Sequence, residues 1–424
     1  MRQRLGNDGA AAVDGGWRPA LWIMVAVQFT MSASQTSSSP ILPLYLPQIG
    51  VDTSSAVEFW SGVLSSLSFL VSAFVSPLWG SLADRHGRKM MVIRSALANC
   101  ALQIGMGLAQ NVWHLVALRA AIGAFSGFSA AAIAMVATQT PRDRLGFALG
   151  WLSTGQLVGA LVGPVLGGGL ADISGSYRLV FYATAGIALL AAALAHFGVD
   201  ERFTPEPRQG KPSALRGFIV LAQSPGLMPI FVTILVAQLG VRTVQPIVTP
   251  FVQELTGPLP SLATLAGFAF SITGVADLIA SPFLGKRSDG LGYRRVLLIS
   301  LFGAAIATLP QALVGSYWQF LALRFALGLF VGGILPTANA LVGRLTTMSQ
   351  QGLAYGITAS ATFLGSFLGP FSGGTIAATI GMRSVFIFTG CLLLANMLWV
   401  FFMLPGEAAV ASAPDFAKAP APGD

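Results

Sequence analysis

The sequence predicts an all-α integral membrane protein in which twelve transmembrane helices form two pseudo-symmetric six-helix bundles. Composition, the spacing of apolar runs and an internal repeat lead to this prediction. Of the 424 residues, 54% are hydrophobic and 9% are charged, whereas about 25% are charged in an ordinary soluble domain. So few charges could not cover the surface of a water-soluble fold of this size, so lipid must surround most of the chain.

The apolar runs set the number of helices, because a bilayer-spanning helix needs about 20 mostly apolar residues. Twelve runs approach or exceed this length, near residues 20–46, 58–82, 92–109, 113–138, 145–170, 178–198, 226–254, 260–284, 295–313, 317–342, 351–378 and 383–403. A charged, proline-containing segment separates the sixth run from the seventh. The predicted organisation is a cytoplasmic tail (1–19), a first bundle (20–198), a cytoplasmic linker (199–225), a second bundle (226–403) and a disordered cytoplasmic tail (404–424).

Landmark residues repeat between the two halves at a spacing of 205 or 206 positions. The repeated pairs are Asp84 and Asp289, Arg119 and Arg324, Arg178 and Arg383, and Gly163-Pro164 and Gly369-Pro370. Each half begins and ends on the same side, so the halves are parallel repeats about an axis along the membrane normal. This arrangement suits a central site that opens alternately to either face.

The distribution of charge predicts the orientation. The net charge is +8, but basic residues lie mostly in short gaps between apolar runs and form no aromatic-interleaved patch, which argues against nucleic acid as a partner. With both termini in the cytoplasm, only Arg178 and Arg383 fall outside, as the positive-inside rule requires. We therefore expect a multi-pass protein of the cell inner membrane. The first run is too long for a signal peptide and is read as an uncleaved helix.

Other function classes lack their sequence signals. The two cysteines, Cys100 and Cys391, lie in apolar runs, and the three histidines are isolated, so we expect no metal site and no cofactor. No G-x-x-x-x-G-K-[ST] loop is present, which argues against pumping driven by ATP from this chain. A membrane sensor or an enzyme on the same scaffold is an alternative, but no nucleophile–base pair supports an enzyme.

The loop between the second and third runs carries the most specific motif. It reads Gly80-Ser-Leu-Ala-Asp84-Arg85-His-Gly87-Arg88-Lys89. Any short cytoplasmic loop is basic and turn-rich, but this string matches the signature G-x-L-A-D-R-x-G-R-K, and the chain resembles the major facilitator superfamily. The resemblance implies a gate, in which the acid and the arginine four positions on latch the first half against the start of helix eleven, near 350–352. The second copy, around Asp289, is looser.

The fifth run carries glycines with regular spacing, namely Gly150, Gly159, Gly163-Pro164 and Gly167. Three of them fall four residues apart, which lines one helix face and lets another backbone approach closely, and Pro164 favours a kink. The spacing resembles the antiporter motif of the drug:proton antiporter groups, and the eleventh run repeats it. The repeated residues are Gly356, Gly365, Gly369, Pro370, Gly373 and Gly374. The resemblance implies export, although the same glycines could instead help two halves rock.

Further stretches of the first half, including Trp60-Ser-Gly62, 69–94 and 115–123, are similar to the MdtG-type multidrug efflux branch of the twelve-helix antiporters. The resemblance implies a secondary active transporter that exports small amphipathic compounds in exchange for protons. We expect the protein to act as a monomer. A symporter or exporter of one metabolite (a sugar, an organic acid or a siderophore) is the alternative within transport.

Charges inside spans are candidates for proton coupling, because each costs about 2.5–3.5 kcal/mol or more at a helix centre. Arg119 heads Arg-x-x-x-Gly123, which matches the family motif whose arginine is implicated in proton transfer, and Arg324 is its repeat copy. Asp277 is read as the only acid deep within a span. A carboxyl group shielded from water can exchange a proton near neutral pH, or it could form a fixed ion pair with Arg242 or Arg324. The first span carries no carboxylate, although several related drug antiporters have one there.

Polar side chains at near-helical spacing mark two candidate cavity faces. The first run carries Gln28, Ser32 and Gln35, and the seventh carries Gln238, Arg242 and Gln245. In the family that the chain resembles, helices 1, 4, 7 and 10 line the cavity, where Phe125 and Phe330 would add apolar contact. Hydrogen bonding between helices is the alternative role, and stripes this polar could also indicate a hydrophilic substrate.

Overall fold

The computed structural model of the protein describes residues 7–201, 227–346 and 348–404, and these residues form helices without strands. The described residues of the first half form eight α-helices: α1 (Asn7–Ser37), α2 (Leu42–Tyr45), α3 (Ser54–His86), α4 (Arg88–Gly107), α5 (Val112–Ala124), α6 (Phe128–Gln139), α7 (Leu145–Ser174) and α8 (Tyr177–Gly198). Those of the second half also form eight: α9 (Leu227–Thr243), α10 (Val248–Thr256), α11 (Leu262–Leu291), α12 (Tyr293–Thr308), α13 (Tyr317–Val331), α14 (Ile334–Leu345), α15 (Met348–Ile380) and α16 (Met382–Met403). The predicted all-helical architecture is confirmed.

These helices account for the twelve apolar runs, which are numbered spans one to twelve in chain order. Within the described residues, ten helices or consecutive helix pairs are long and apolar enough to cross a membrane. The other two runs correspond to α1 and α4. Both are less apolar than the rest, because α1 carries residues such as Gln28 and Gln35, and α4 begins with Arg88-Lys89 and contains Asn99.

Spans four and ten are each divided into two helices at a glycine. In span four, α5 ends at Ala124 and α6 begins at Phe128. Between them, Gly127 has a φ of 106°, a backbone conformation that favours a residue without a side chain. Span ten breaks at Gly332-Gly333. The breaks leave backbone carbonyl groups that need donors from other helices.

The described chain divides into two compact units. Of the described residues, the first unit comprises 7–50, 74–201 and 260–271, and the second comprises 51–73, 227–259, 272–346 and 348–404. Each unit has its own apolar core, built in the first from α1, α4, α6, α7 and α8, and in the second from α9 and α12 to α16. Residues 51–73 and 260–271 thus group with the opposite half of the sequence. The predicted linker and the predicted C-terminal tail lie largely outside the described residues, whereas residues 7–19 of the predicted N-terminal tail form the start of α1.

Candidate functional site

The predicted gating loop lies at a break between two helices. Asp84 lies in the last turn of α3, and α4 begins at Arg88, with Gly87 between them at a φ of 91°. The acid and the arginine are therefore not one turn apart on a single helix, as their spacing suggests. The structure describes the backbone of Gly80, Asp84, Arg85, Asp289 and 348–353, whose side chains lie outside the described part.

A residue that the sequence analysis did not single out fixes the start of α4. The carboxylate of Glu201, which follows α8, accepts hydrogen bonds from the backbone N–H groups of Arg88 and Lys89, both at 2.8 Å. An anion at a helix N-terminus is favoured by the exposed N–H groups and the helix dipole. The end of span six therefore holds the second half of the gating motif in place.

The glycines of span five form a seam with span one. Gly159, Gly163 and Gly167 lie on one face of α7, and a Cβ added at any of them would overlap the backbone of α1. At Gly163, for example, it would lie 2.7 Å from the carbonyl oxygen of Ala33. The helix continues through Pro164, whereas Gly150 has open space around it. The predicted close approach is therefore present, and its partner is α1.

Span eleven makes the same kind of seam with span seven. A Cβ at Gly369 would lie 2.6 Å from the carbonyl oxygen of Leu239 and 2.8 Å from the Cβ of Arg242, and Gly365 and Gly373 pack on α9 in the same way. Pro370 lies within the continuous helix α15. The sequence repeat therefore appears in space as two equivalent glycine seams.

The three intramembrane arginines contact polar or aromatic groups of their own unit. The Nη2 group of Arg119 lies 3.5 Å from the Oγ of Ser38, at the end of span one. The guanidinium of Arg242 lies 5.6 Å from the ring centre of Phe69 on α3. Arg324 is 6% exposed, and its guanidinium lies 5.8 Å from the ring centre of Phe320. Cation–π contacts of this kind stabilise a guanidinium away from water.

Asp277 lies on α11 beside the break in span ten. Its Oδ1 accepts a hydrogen bond from the hydroxyl of Ser281 at 2.6 Å, and a Cβ on Gly332 would lie 2.8 Å from the same oxygen. Among the described side chains, no Lys or Arg nitrogen lies within 4.0 Å of this carboxylate. The Asp277 carboxylate is therefore held by a hydroxyl rather than by a fixed ion pair with Arg242 or Arg324.

The candidate cavity residues of the first half have different surroundings. Gln28 is buried and its Nε2 lies 3.4 Å from the Oγ of Ser129 on α6, a contact between helices. Ser32 is buried against Gly159 in the glycine seam, whereas Gln35 is exposed. Phe125 is exposed, and its ring stacks near that of Trp79 at a centroid distance of 6.3 Å.

The candidate cavity residues of the second half also differ in their surroundings. Gln238 packs with its Cβ against Gly365 in the seam. The Oε1 of Gln245 is buried and accepts no hydrogen bond among the described residues. The ring of Phe330 packs over Gly303 on α12, so it contributes to helix packing at that point.

A contact of Arg94 and Trp79 with the break in span four was not predicted. The indole Nε1 of Trp79 donates to the carbonyl of Ala124 at 2.6 Å, and the Nη2 of Arg94 donates to the carbonyl of Ser126 at 3.1 Å. The guanidinium of Arg94 lies 3.2 Å from the ring centre of Trp79. A cation is favourable at the C-terminal end of a helix, where carbonyl groups lack partners. The sequence shows an arginine near the loop but not the carbonyl groups that it reaches.

Two acidic residues near the ends of spans were also missed. The carboxylate of Asp172, at the end of α7, accepts hydrogen bonds from the backbone N–H of Ala263 at 3.2 Å and that of Thr264 at 2.7 Å, at the start of α11. Glu58 on α3 is buried, with 7% of its surface exposed, whereas Asp277 is only partly buried. Glu58 marks the edge of its apolar run, which is why the run alone gave no signal.

Comparison with known proteins agrees with this architecture. A family model for the Major Facilitator Superfamily matches residues 24–257 and again residues 230–422, and so covers both halves. The chain belongs to the Major Facilitator Superfamily. The predicted twelve-helix fold of two six-helix bundles is therefore confirmed, and this member is a multi-pass membrane protein.

Relatives with similar sequences extend over almost the whole chain. This major facilitator protein is 39% identical over 388 residues to the multidrug resistance protein MdtG of Serratia proteamaculans, which covers 92% of the chain and 94% of the relative. It is 36% identical to MdtG of Proteus mirabilis, over 92% of the chain and 98% of the relative. The predicted resemblance to MdtG-type proteins is confirmed.

Solved structures of other major facilitator proteins share the fold. A bacterial homologue of the lysosomal transporter Spinster, in an inward-facing and unoccupied conformation, matches with a TM-score of 0.73 at 15% identity, over 92% of this chain and 98% of that one. A point mutant of the nucleoside transporter NupG matches with a TM-score of 0.76 at 11% identity, over 92% of this chain and 100% of that one.

Proposed function

We propose that this chain is a secondary active transporter that exports small amphipathic compounds by alternating access, in exchange for protons. The observation that carries the proposal is the 39% identity to a multidrug resistance protein across 92% of the chain. The proposal places the protein in the cell inner membrane as a monomer with both termini in the cytoplasm, in line with the positive-inside distribution of its basic residues.

The geometry of the seams supports a cycle of this type. The glycine seams join α7 to α1 and α15 to α9 through close backbone contacts, and close-packed helix pairs move as rigid elements. The loop from Gly80 to Lys89 acts as the gate, with Asp289 as its weaker copy. Arg119, Asp277, Arg242 and Arg324 are the coupling candidates, and each of them contacts a polar or aromatic group or a glycine seam.

The direct test is extrusion from cells of an efflux-deficient host that express the chain. We expect lower accumulation of a lipophilic dye such as ethidium, and lower susceptibility to part of a panel of amphipathic compounds. A proton moving down its gradient supplies about 2.3 kcal/mol per 100 mV of membrane potential, so a protonophore should abolish extrusion. Asp277→Asn should weaken extrusion and its dependence on pH, at equal abundance in the membrane.

The matched control is Ser174→Ala, which alters an exposed hydroxyl at the end of α7 and should extrude like the wild type. Extrusion that survives collapse of the proton gradient would refute proton exchange. No change in the retention of any compound, with the protein abundant in the membrane, would refute efflux.

A second candidate function is export or symport of one hydrophilic metabolite. It is favoured by Gln28 and Gln245, since the Oε1 atoms of both are buried and accept no hydrogen bond among the described residues. Such acceptors are costly unless a ligand or water supplies a donor. Energised vesicles distinguish the candidates, because a metabolite transporter would move one polar solute and leave the amphipathic panel unaffected.

A further inference from the structure

The break in span ten leaves a backbone carbonyl without its helical donor. Helix α13 ends at Val331 and α14 begins at Ile334. In a continuous helix the carbonyl of Gly332 would accept from the N–H four residues further on. That residue is Pro336, which has no N–H. The Gly332 carbonyl therefore needs a donor from another element.

The side chain of Ser281 on α11 reaches both this carbonyl and Asp277. Its Oγ lies 2.9 Å from the carbonyl oxygen of Gly332 and 2.6 Å from the Oδ1 of Asp277. A serine hydroxyl carries one proton and can donate one full hydrogen bond at a time. The two acceptors therefore compete for it, unless Asp277 carries a proton of its own.

We propose that Ser281 is a positioning residue that relays the protonation of Asp277 to the break in span ten. An ionised Asp277 can only accept, so it takes the Ser281 proton in a strong charge-assisted bond and leaves the Gly332 carbonyl without a donor. A protonated Asp277 donates to the Ser281 oxygen, and the Ser281 proton turns to Gly332. All three groups are then satisfied in one chain of hydrogen bonds.

Protonation of Asp277 therefore stabilises the break in span ten, because the Gly332 carbonyl gains the hydrogen bond from Ser281. Loss of that proton removes the hydrogen bond and destabilises the break. The inference rests on the proposed function for its role in transport, since it assigns Asp277 a way to act on a helix that divides at this point. The arrangement needs no arginine partner for the acid, in agreement with the distances around Asp277.

The neighbouring elements contribute glycines and a hydroxyl to this contact. Span ten approaches through Gly328 of α13 and Gly332 at the break, and α12 approaches Gly333 with Ser300. Several ionisable residues belong to these elements and to α11, namely Lys286, Arg287, Asp289, Tyr293, Arg294, Arg295, Tyr317, Arg324 and Arg344. Arg324 lies over Phe320, Arg344 lies over Tyr293, and Arg294 donates to the carbonyl of Phe401. Asp277 contacts the break directly, because its Oδ1 lies 2.8 Å from the position of a Cβ on Gly332.

Hydrogen exchange measured by mass spectrometry tests the relay on the purified full chain in detergent, on both sides of neutral pH and after correction for intrinsic exchange. In the wild type, the amides of Gly332, Gly333 and Thr337 should be better protected at acid pH by about two- to tenfold, the effect of one hydrogen bond. Asp277→Asn should be well protected at both pH values, because its amide donates to Ser281 whatever the pH. Ser281→Ala should be poorly protected at both.

Two further variants make the result specific. Ser300→Ala removes another hydroxyl at the same break, one that makes no hydrogen bond among the described residues, and should keep the wild-type pH dependence. Pro336→Ala supplies an N–H that can donate to the Gly332 carbonyl. Protection of the amides at the break should then be the same at both pH values, and it should not change when Ser281→Ala is added to this variant. This arm also gives an answer if Ser281→Ala alone fails to fold.

The relay is overturned if protection at the break does not depend on pH in the wild type, or if Ser281→Ala keeps that dependence. Neither readout requires a transport substrate. If protection at the break depends on pH but the cells extrude no compound, the proposed function is refuted and the relay is not. If the cells extrude dye but protection at the break does not depend on pH, the relay is refuted and the proposed function is not.

Discussion

The residue that holds the predicted gating loop is Glu201, whose two carboxylate oxygens each accept one backbone N–H at the start of α4. A helix start leaves such N–H groups without partners inside the helix, so removing the cap leaves them exposed or unsatisfied. We expect Glu201→Ala to lower the free energy of unfolding by about 0.5–2 kcal/mol. Denaturation of the purified protein in mixed detergent micelles measures this change.

The adjacent Asp200 provides the control for this cap. Asp200 contributes its backbone carbonyl, which accepts from the Nε2 of Gln139 at 2.8 Å. Asp200→Asn keeps that carbonyl and should leave stability close to that of the wild type. If Asp200→Asn and Glu201→Ala cost the same, general loss of negative charge would explain both, and the cap would not.

The glycine seams between helices leave no room for even a methyl group at their closest points. An added methyl group at Gly163 or Gly369 would meet backbone oxygen atoms of Ala33 or Leu239, which cannot move aside as a flexible side chain could. We expect Gly163→Ala and Gly369→Ala to cost about 1–3 kcal/mol each, the usual cost of overpacking, and to reduce extrusion. Stability in mixed micelles and dye extrusion are the measurements.

The same motif contains its own controls, because Gly150 and Gly356 have open space where a Cβ would lie. Alanine at either position should be tolerated and should stabilise its helix by at most about 1 kcal/mol. Equal damage from all four substitutions would mean that the motif matters for a reason other than close packing.

The sequence predicts contacts between residues that are close along the chain, but not contacts between residues that are far apart. The spacing of Gly159, Gly163 and Gly167 predicts a tight helix face, but it does not indicate that the partner is α1, because that depends on tertiary packing. Ser281 lies one helical turn after Asp277, so that pair could have been found from the sequence. The carbonyl of Gly332 lies 51 residues away and could not. The charged segment around Glu201 predicts a linker, which hides its role as a cap.

Between the two halves of the molecule, the breaks in spans four and ten repeat in backbone but not in the side chains that contact them. Spans four and ten break at equivalent glycines, Gly127 and Gly332. The first break is contacted by Trp79 and Arg94, and the repeat positions in the second half hold Leu284 and Ile299. The second break is instead contacted by Ser281 beside an acid. A sequence repeat predicts the shared backbone, whereas the side chains that serve each half have diverged, so a proton-sensitive contact is expected in the second half.

The contact of Asp172 with the start of α11 joins span five, which is α7 in the first half of the sequence, to span eight, which is α11 in the second half. The Oδ2 of Asp172 lies 2.7 Å from the backbone nitrogen of Thr264 and 2.5 Å from its Oγ1. Alternating access moves the two repeats of the sequence against each other around a central site, so a contact that joins these two helices must open once in each cycle.

We therefore expect a disulfide between Asp172→Cys and Thr264→Cys to stop dye extrusion, and a reductant to restore it. Both native cysteines, Cys100 and Cys391, are replaced by serine in this background. The control is a disulfide between Ser34→Cys and Asn99→Cys, whose native side chains lie 3.2 Å apart within the first half. Because that pair need not separate during the cycle, its cross-link should leave extrusion intact. Complete cross-linking of the first pair with undiminished extrusion would mean that this contact stays closed while the transporter works.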